Sequence, residues 1–482
     1  MVIKQIISYL YMAALSGLSI YALHTALLIA LYLWHRQDDT PIAPPLGEGI
    51  WPVVTVQIPL RNERYVVQRI LRAVAAFKWP AEQLEIQVLD DSTDQTTALA
   101  QQETARLRAQ GVDIRVYHRS DATGNKAGAL SAGLAHARGE YFALFDADFC
   151  PPANFLQETV PHLVANPHLG MVQSRWGHLN ANYSPITRAQ SLLMDAHFTV
   201  EHLARNRSGL LMNFNGTAGV WRRQAIIAAG GWQSDTLAED LDLSYRAQLA
   251  GWKLLYLPHV VAPAELPPLV AAFKQQQYRW AKGAIQVLRK LTKPLLLSKQ
   301  LTWAQKIMGL LHLSGYLTQP LLLLMLLLTL PLGYYQTALP PLAGLLGAIL
   351  CIPPLLYLIG QIALYRDWPR RILAYPVVML LGMGITWSTT LALIDGWRHW
   401  GGTFARTPKF QLHAQQGNWR GATYRIALNH TLWGELALGG YSLLALWQSV
   451  AGQQSGLLPL ILAGLGGEGL LVLGTLIQAQ RT

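Results

Sequence analysis

Tyr141-Phe-Ala-Leu-Phe-Asp146-Ala-Asp148-Phe-Cys150 is the stretch whose reading decides the fold. An apolar, aromatic-rich run stops at two aspartates one residue apart. This is the pattern of a buried strand in an α/β sheet that delivers carboxylates to its C-terminal edge, where open α/β sheets bind ligands. Two carboxylates at i and i+2 just past a strand are suited to hold a hard divalent cation together with the phosphate oxygens of a substrate. A lone Asp-x-Asp is more often a solvated pair in a turn, so its meaning depends on its surroundings.

Around it, short β-rich runs alternate with helical patterns: Val53–Ile58, Ile86–Leu89, Ile114–Tyr117, Tyr141–Phe145 and Met171–Gln173, with helices over Arg64–Phe77 and Thr96–Gln110. That alternation predicts a mostly parallel sheet with helices on both faces. The flanks differ in kind. The chain is 51% hydrophobic and only 13% charged, against about 25% charged in soluble domains. Residues 307–333, 337–364, 372–394 and 436–467 hold no Asp, Glu, Lys or Arg, and about 20 apolar residues span a bilayer core. Residues 6–34 form a further apolar segment closed by Trp34-His35-Arg36. It is too long for a signal-peptide core and reads as an anchoring helix.

Charge sets the expected topology. The 396–430 loop carries Arg398, Arg406, Lys409, Arg420 and Arg425 and no acid, and the 366–371 link carries Arg366, Arg370 and Arg371 against Asp367. The positive-inside rule puts both on the cytoplasmic side. Residues 372–395 then cannot make a single crossing, and Pro376, Gly382, Gly384 and Asp395 argue for an interfacial or re-entrant path. Crossings are expected near 6–34, 310–334, 339–364, 431–449 and 457–477. Two cysteines, Cys150 and Cys351, exclude a disulfide framework. The net charge of +11 fits an anionic membrane surface or an anionic substrate. Nucleic acid is disfavoured because no basic run is interleaved with aromatics.

Four further motifs carry chemistry. Leu89-Asp90-Asp91-Ser92-Thr93-Asp94 places acids at another strand end. One can hydrogen-bond a nucleoside, while Ser92, Thr93 or Asp94 can cap the next helix. Gly124-Asn125-Lys126-Ala-Gly128 opens a helix, and a helix N-terminus with a lysine attracts phosphate. Phe214-Asn215-Gly216-Thr217-Ala218-Gly219 precedes Ala238-Glu239-Asp240-Leu-Asp242, acids at a helix start where one can deprotonate an attacking hydroxyl or simply complement the helix dipole. In Gln275-Gln276-Gln277-Tyr278-Arg279-Trp280-Ala281-Lys282, the spacing puts Gln276, Arg279 and Trp280 on one helix face. The guanidinium can clamp a diphosphate and the indole can floor a sugar ring, although an Arg/Trp pair is also a common interfacial anchor.

Asp91, Asp146-x-Asp148, Glu239-Asp240 and Gln276-x-x-Arg279-Trp280, in this order and followed by membrane segments, resemble the processive family 2 glycosyltransferases: cellulose, hyaluronan and mannan synthases. Val172-Gln-Ser-Arg175-Trp176-Gly-His-Leu-Asn180, Phe214–Arg222 and Gly230-Gly-Trp232 bring it nearest to the cellulose-synthase-like A (mannan synthase) branch and its bacterial relatives. The resemblance covers about residues 53–290 and matches the membrane part in outline. It implies a GT-A-like nucleotide-sugar transferase domain, an α/β fold with a mixed, mostly parallel sheet, inserted between transmembrane helices. The expected layout is an N-terminal transmembrane helix (1–36), a cytoplasmic glycosyltransferase domain ending in interfacial helices (37–300), and a C-terminal membrane domain (301–482) in a bacterial inner membrane.

The resemblance also implies roles. Asp91 and Lys126 contact the nucleotide, and Asp146 and Asp148 place the metal, Mg²⁺ or Mn²⁺, and the diphosphate. Asp240 is the general base; Gln276, Arg279 and Trp280 close the donor and acceptor site. Glu239, Phe214 and Asn215 join Trp280 on the sugar side. Phe404-Ala-Arg406-Thr407-Pro408-Lys409 resembles the family's gating loop, Phe-x-Val-Thr-x-Lys, with Arg406 in place of Val. The implied reaction moves a hexose from a UDP-glucose- or GDP-mannose-type donor, with inversion, to a growing β-glycan. A glycolipid synthase making one addition to a lipid acceptor is the rival within enzymes. A transporter is the rival outside them, disfavoured by the lack of charges in most apolar cores.

Overall fold

The computed structural model describes residues 2–39, 42, 44–47, 51–403, 406–420, 431–452 and 455–479. Its centre is a seven-stranded sheet: β1 (Val54–Leu60), β2 (Leu84–Asp90), β3 (Ile114–His118), β4 (Tyr141–Leu144), β5 (Leu169–His178), β6 (Gly219–Arg222) and β7 (Lys253–Ala264), in the order β3-β2-β1-β4-β6-β5-β7. The pairings β1–β2, β2–β3, β1–β4 and β5–β7 are parallel, while β6 runs antiparallel to β4 and β5. The expected mixed, mostly parallel sheet is therefore observed.

Both faces are buried. Val54, Val56 and Ile58 face one apolar layer with Ile70, Val74 and Phe155, while Phe142, Leu144, Leu130 and Trp221 fill the other. Strand polarity is not purely apolar: Thr55 bonds Glu85 at 2.6 Å and Gln57 bonds Gln87 at 3.0 Å across the β1–β2 pair. These buried polar groups pair across the strands, although Gln57 Oε1 and Gln87 Nε2 are left without a protein partner.

The helix Val270–Leu297 follows the sheet and forms the floor between it and the apolar helices. Lys274 on this helix bonds Glu435 of the helix Thr431–Ala451 at 2.9 Å, and Lys282 and Tyr278 bond Asp395 at 2.7 and 3.1 Å. Among the described residues, Val2–His35, Gly315–Tyr334, Leu342–Leu364 and Leu458–Gln478 are long and apolar enough to cross a membrane. Thr431–Ala451, where a crossing is expected from the sequence, is helical but is not among those four.

The 372–395 region is broken, as its proline and glycines suggest. Trp368–Gly384 and Thr386–Arg398 meet at a 46° bend. Both ends return to the sheet domain: Tyr365 and Gln361 bond Asp195 at 3.3 and 2.9 Å, and Gln286 donates to the carbonyls of His399 and Gly401 at 2.9 Å each.

Candidate active site

The register of the sheet builds the site. Leu60 pairs with Asp90 and Gln57 with Leu144, so Asp91 and Asp146 emerge at the same edge, on either side of β1. Strands lie about 4.8 Å apart, so about 10 Å separates the two strand ends. The adjacent acids divide their tasks. Asp90 is fully buried and accepts from Ser92 N (3.1 Å) and Thr97 Oγ1 (2.6 Å), with His118 Nδ1 at 2.9 Å. Asp91 is left to face the cleft, where Arg119 grips it bidentately at 2.7 and 2.6 Å. Asp94 accepts from Thr96 N at 2.9 Å, so the capping task falls to it.

Lys126 lies in the first turn of the helix Asn125–His136, and its ammonium donates to Asp146 Oδ1 at 2.6 Å and to the Gly216 carbonyl at 2.9 Å. Gly216 has φ +82°, and a Cβ there would meet Asp240 Oδ2 at 2.8 Å. Only glycine lets the loop pass between Lys126 and Asp240. Gln173 on β5 explains why its motif and the 214–219 motif occur together. Its Nε2 donates to the Thr217 and Ala218 carbonyls at 3.1 Å each, and its Oε1 accepts from Asn215 N at 3.0 Å. The loop is thereby fixed, with Thr217 Oγ1 accepting from Asp146 N at 2.9 Å.

Two residues expected on the sugar side have other partners in the structure. Phe214 is fully buried with its ring edge-on to Trp221 at 5.8 Å, so it supports the loop from beneath. Asn215 turns its amide to His197 at 3.0 Å and to His202, inside the π-helical turn His197–His202.

Glu239 and Asp240 begin the helix Glu239–Leu249. Burial pushes both carboxyls above their usual range; mutual repulsion adds to this on Glu239, while Lys126 opposes the shift on each. Arg279 faces this cluster from the 270–297 helix. Burial lowers its pKa, and Glu239, Asp146, Asp240 and Asp148 pull it back up. Gln276 and Trp280 lie half-buried on the same helix. The opposite tie of that helix, through Tyr278 and Lys282 to Asp395, holds it against the bent segment.

The strap of residues 406–412 covers the cleft. Lys409 bonds Asp148 Oδ2, and Arg406 grips Glu63 bidentately at 3.0 and 2.9 Å. Thr407 is buried in the same strap, its hydroxyl without a protein partner. Phe404 lies outside the described residues.

Asp146 and Asp148 supply two hard oxygen donors, and no group of three or more metal-ligating side chains exists among the described residues. That set fits Mg²⁺ or Mn²⁺ held by one or two carboxylates plus substrate phosphates, rather than an all-protein cage. Sequence reasoning missed Arg119, Arg69, Glu63 and Glu265. Arg119 could have been suspected as a basic residue directly after β3, level with the acids of β2.

The sheet, its acidic edge and the covering helix define a GT-A-like fold. Mannosyltransferase PcManGT from Pyrobaculum calidifontis, in complex with GDP-Man and Mn²⁺, shares this fold with a TM-score of 0.54 at 19% identity, over 81% of this chain and 99% of that one. Residues 52–283 match the family described as "Glycosyltransferase like family 2". This stretch is similar to the family 2 glycosyltransferases.

Among curated relatives, glucomannan 4-beta-mannosyltransferase 1 of Oryza sativa subsp. japonica is 43% identical over 278 residues, 57% of this chain and 53% of the relative. Glucomannan 4-beta-mannosyltransferase 9 of Arabidopsis thaliana is 42% identical over 266 residues, 54% of this chain and 50% of the relative. The chain thus spans about half the length of the curated relatives it matches. They bear out the resemblance to the cellulose-synthase-like A branch.

Proposed function

We propose that this protein is a membrane-embedded, metal-dependent inverting mannosyltransferase that transfers mannose from GDP-mannose to a growing β-glycan. One observation carries the reading. Lys126 joins Asp146 to the Gly216 carbonyl, and Gly216 abuts Asp240, so the phosphate-side carboxylate and the base candidate line one cleft. The names of the relatives, both 4-beta-mannosyltransferases, support mannose as the sugar.

Asp146 and Asp148 would hold a divalent cation, which would supply positive charge to offset that of the leaving nucleoside diphosphate. Asp91, held by Arg119, borders the nucleoside side, and Lys126 and Arg279 offer positive charge to the diphosphate. Asp240 takes the proton of the acceptor hydroxyl as it attacks the anomeric carbon in line, giving a β-linkage from an α-linked donor. Trp280, with Gln276, floors the acceptor sugar. Lys409 and Thr407, on the strap over the cleft, offer an ammonium and a hydroxyl to the diphosphate.

Purified protein given GDP-mannose, Mn²⁺ and a mannan oligosaccharide should release GDP and extend the oligosaccharide. Turnover with UDP-glucose alone overturns the sugar assignment, and a glycolipid as the sole product overturns the polymer assignment.

The same reading sets the topology. The residues flanking 368–398, Tyr365 and His399, both contact the sheet domain, which supports a bent segment that enters and leaves on one face with the strap on the cytoplasmic side. Gln415 is exposed in the loop. A Gln415→Cys variant lacking Cys150 and Cys351 should react with an impermeant maleimide in inside-out vesicles. Reaction only in right-side-out cells overturns the arrangement.

A further inference from the structure

The strap is held by a carboxylate that neither the motifs nor the proposed chemistry uses. Glu265 sits one residue past β7 and five residues before the 270–297 helix begins, with its side chain fully buried. Its Oε1 accepts from Phe410 N at 2.7 Å and its Oε2 from Leu412 N at 3.0 Å. Gln411, between those two amides, has φ +60°. A non-glycine residue in the left-handed region is uncommon and marks backbone constrained by its surroundings. Here the turn brings two alternate N–H groups onto one anion, a concavity of the kind backbone amides form around anions.

Two further bonds join this clasp to the cleft. The Glu265 carbonyl accepts from Lys409 Nζ at 3.1 Å, the same ammonium that bonds Asp148. Arg69 lies between the two acids: its Nη2 donates to the Asp148 carbonyl at 3.1 Å and lies 3.5 Å from Glu265 Oε2. Tyr65, Leu269 and Ala272 pack against Phe410 and Leu412 from the apolar side.

We propose that Glu265 is a positioning residue that clasps the strap through Phe410 N and Leu412 N and so sets where Lys409 delivers its ammonium. It touches no reacting atom. Its role is to hold two donors that flank a strained residue, just after the lysine that enters the cleft. The kinetic part rests on the mannosyltransferase reading; the exchange part does not.

Glu265→Gln separates the clasp from simple packing. The amide keeps the shape but offers one acceptor and one NH₂ donor where two N–H donors need two acceptors. Loss of a hydrogen bond to a charged group should raise amide exchange at Phe410 and Leu412 by about tenfold or more. Exchange in β1, β2 and β4 should stay as in the wild type, which establishes that the variant is folded. Glu265→Asp, retaining both acceptors, should restore part of the protection. Lys409→Ala should leave protection at the two amides largely intact, because its backbone is not part of the clasp.

In kinetics, Glu265→Gln should raise KM for GDP-mannose more than it lowers kcat. The double variant Glu265→Gln/Lys409→Ala should be no worse than Lys409→Ala alone. Wild-type exchange rates in Glu265→Gln overturn the clasp. Additive losses in the double variant overturn the link to Lys409. If the wild type turns over no donor, the functional reading fails while the exchange result still decides the clasp.

Discussion

Asp240→Asn loses turnover by about 10²–10⁴-fold, the usual contribution of a general base, while binding of GDP-mannose stays close to wild type. The substitution preserves shape: the Asn Oδ1 still accepts from Leu241 N, a bond of 2.8 Å in the wild type. What goes is the charge proposed to receive the acceptor's proton. Burial raises the Asp240 carboxyl above its ordinary 3.8. The base works only when ionised, so wild-type kcat/KM should fall as pH drops through a pKa above that value. The residual activity of the variant should lack this acid limb. Calorimetric donor titration and a pH–rate profile measure the two parts separately. A loss below about tenfold excludes Asp240 as the base.

Asp148→Ala acts differently, weakening metal and donor together. Asp148 is mostly buried, with the Lys409 ammonium on its Oδ2 and Arg69 on its backbone carbonyl. In the proposed site its removal would leave Asp146 alone to share a cation with the diphosphate. Removing a group that stabilises developing charge typically costs about 10²–10³-fold in rate, and kcat/KM should fall by about that much. Mn²⁺ binding followed by electron paramagnetic resonance should weaken in the presence of GDP-mannose. Unchanged Mn²⁺ binding with lost activity would place the metal elsewhere.

The acids were legible because the chain spells them next to the strands that deliver them. Asp91 and Asp146 each directly follow an apolar run, and parallel strands bring such ends to one edge. What escaped depends on non-local geometry. β6 is only Gly219–Arg222, too short to show alternation, and it earns its place by antiparallel pairing with β4 and β5. β7 carries Pro258 and Pro263, which argue against a central strand; it is an edge strand whose pairing with β5 shifts register between Ser174 and Arg175. The burial of Phe214 could not be read locally, since the loop turns its ring inward against Trp221. Glu63 and Glu265 had no local signal, since their partners Arg406, Phe410 and Leu412 are more than a hundred residues away.

The contacts of Asp395 have a consequence for how the protein divides. Lys282 and Tyr278 sit on the helix that carries Arg279 and Trp280, and both spend their polar groups on an aspartate more than a hundred residues downstream. Lys409 and Arg406 come from still further along the chain. A soluble fragment cut near residue 300 would retain every strand of the sheet but lose one wall of its own cleft. The cleft is not modular in the linear sense. The cleft closes as a loop in space, and the segments beyond residue 300 supply pieces of its wall.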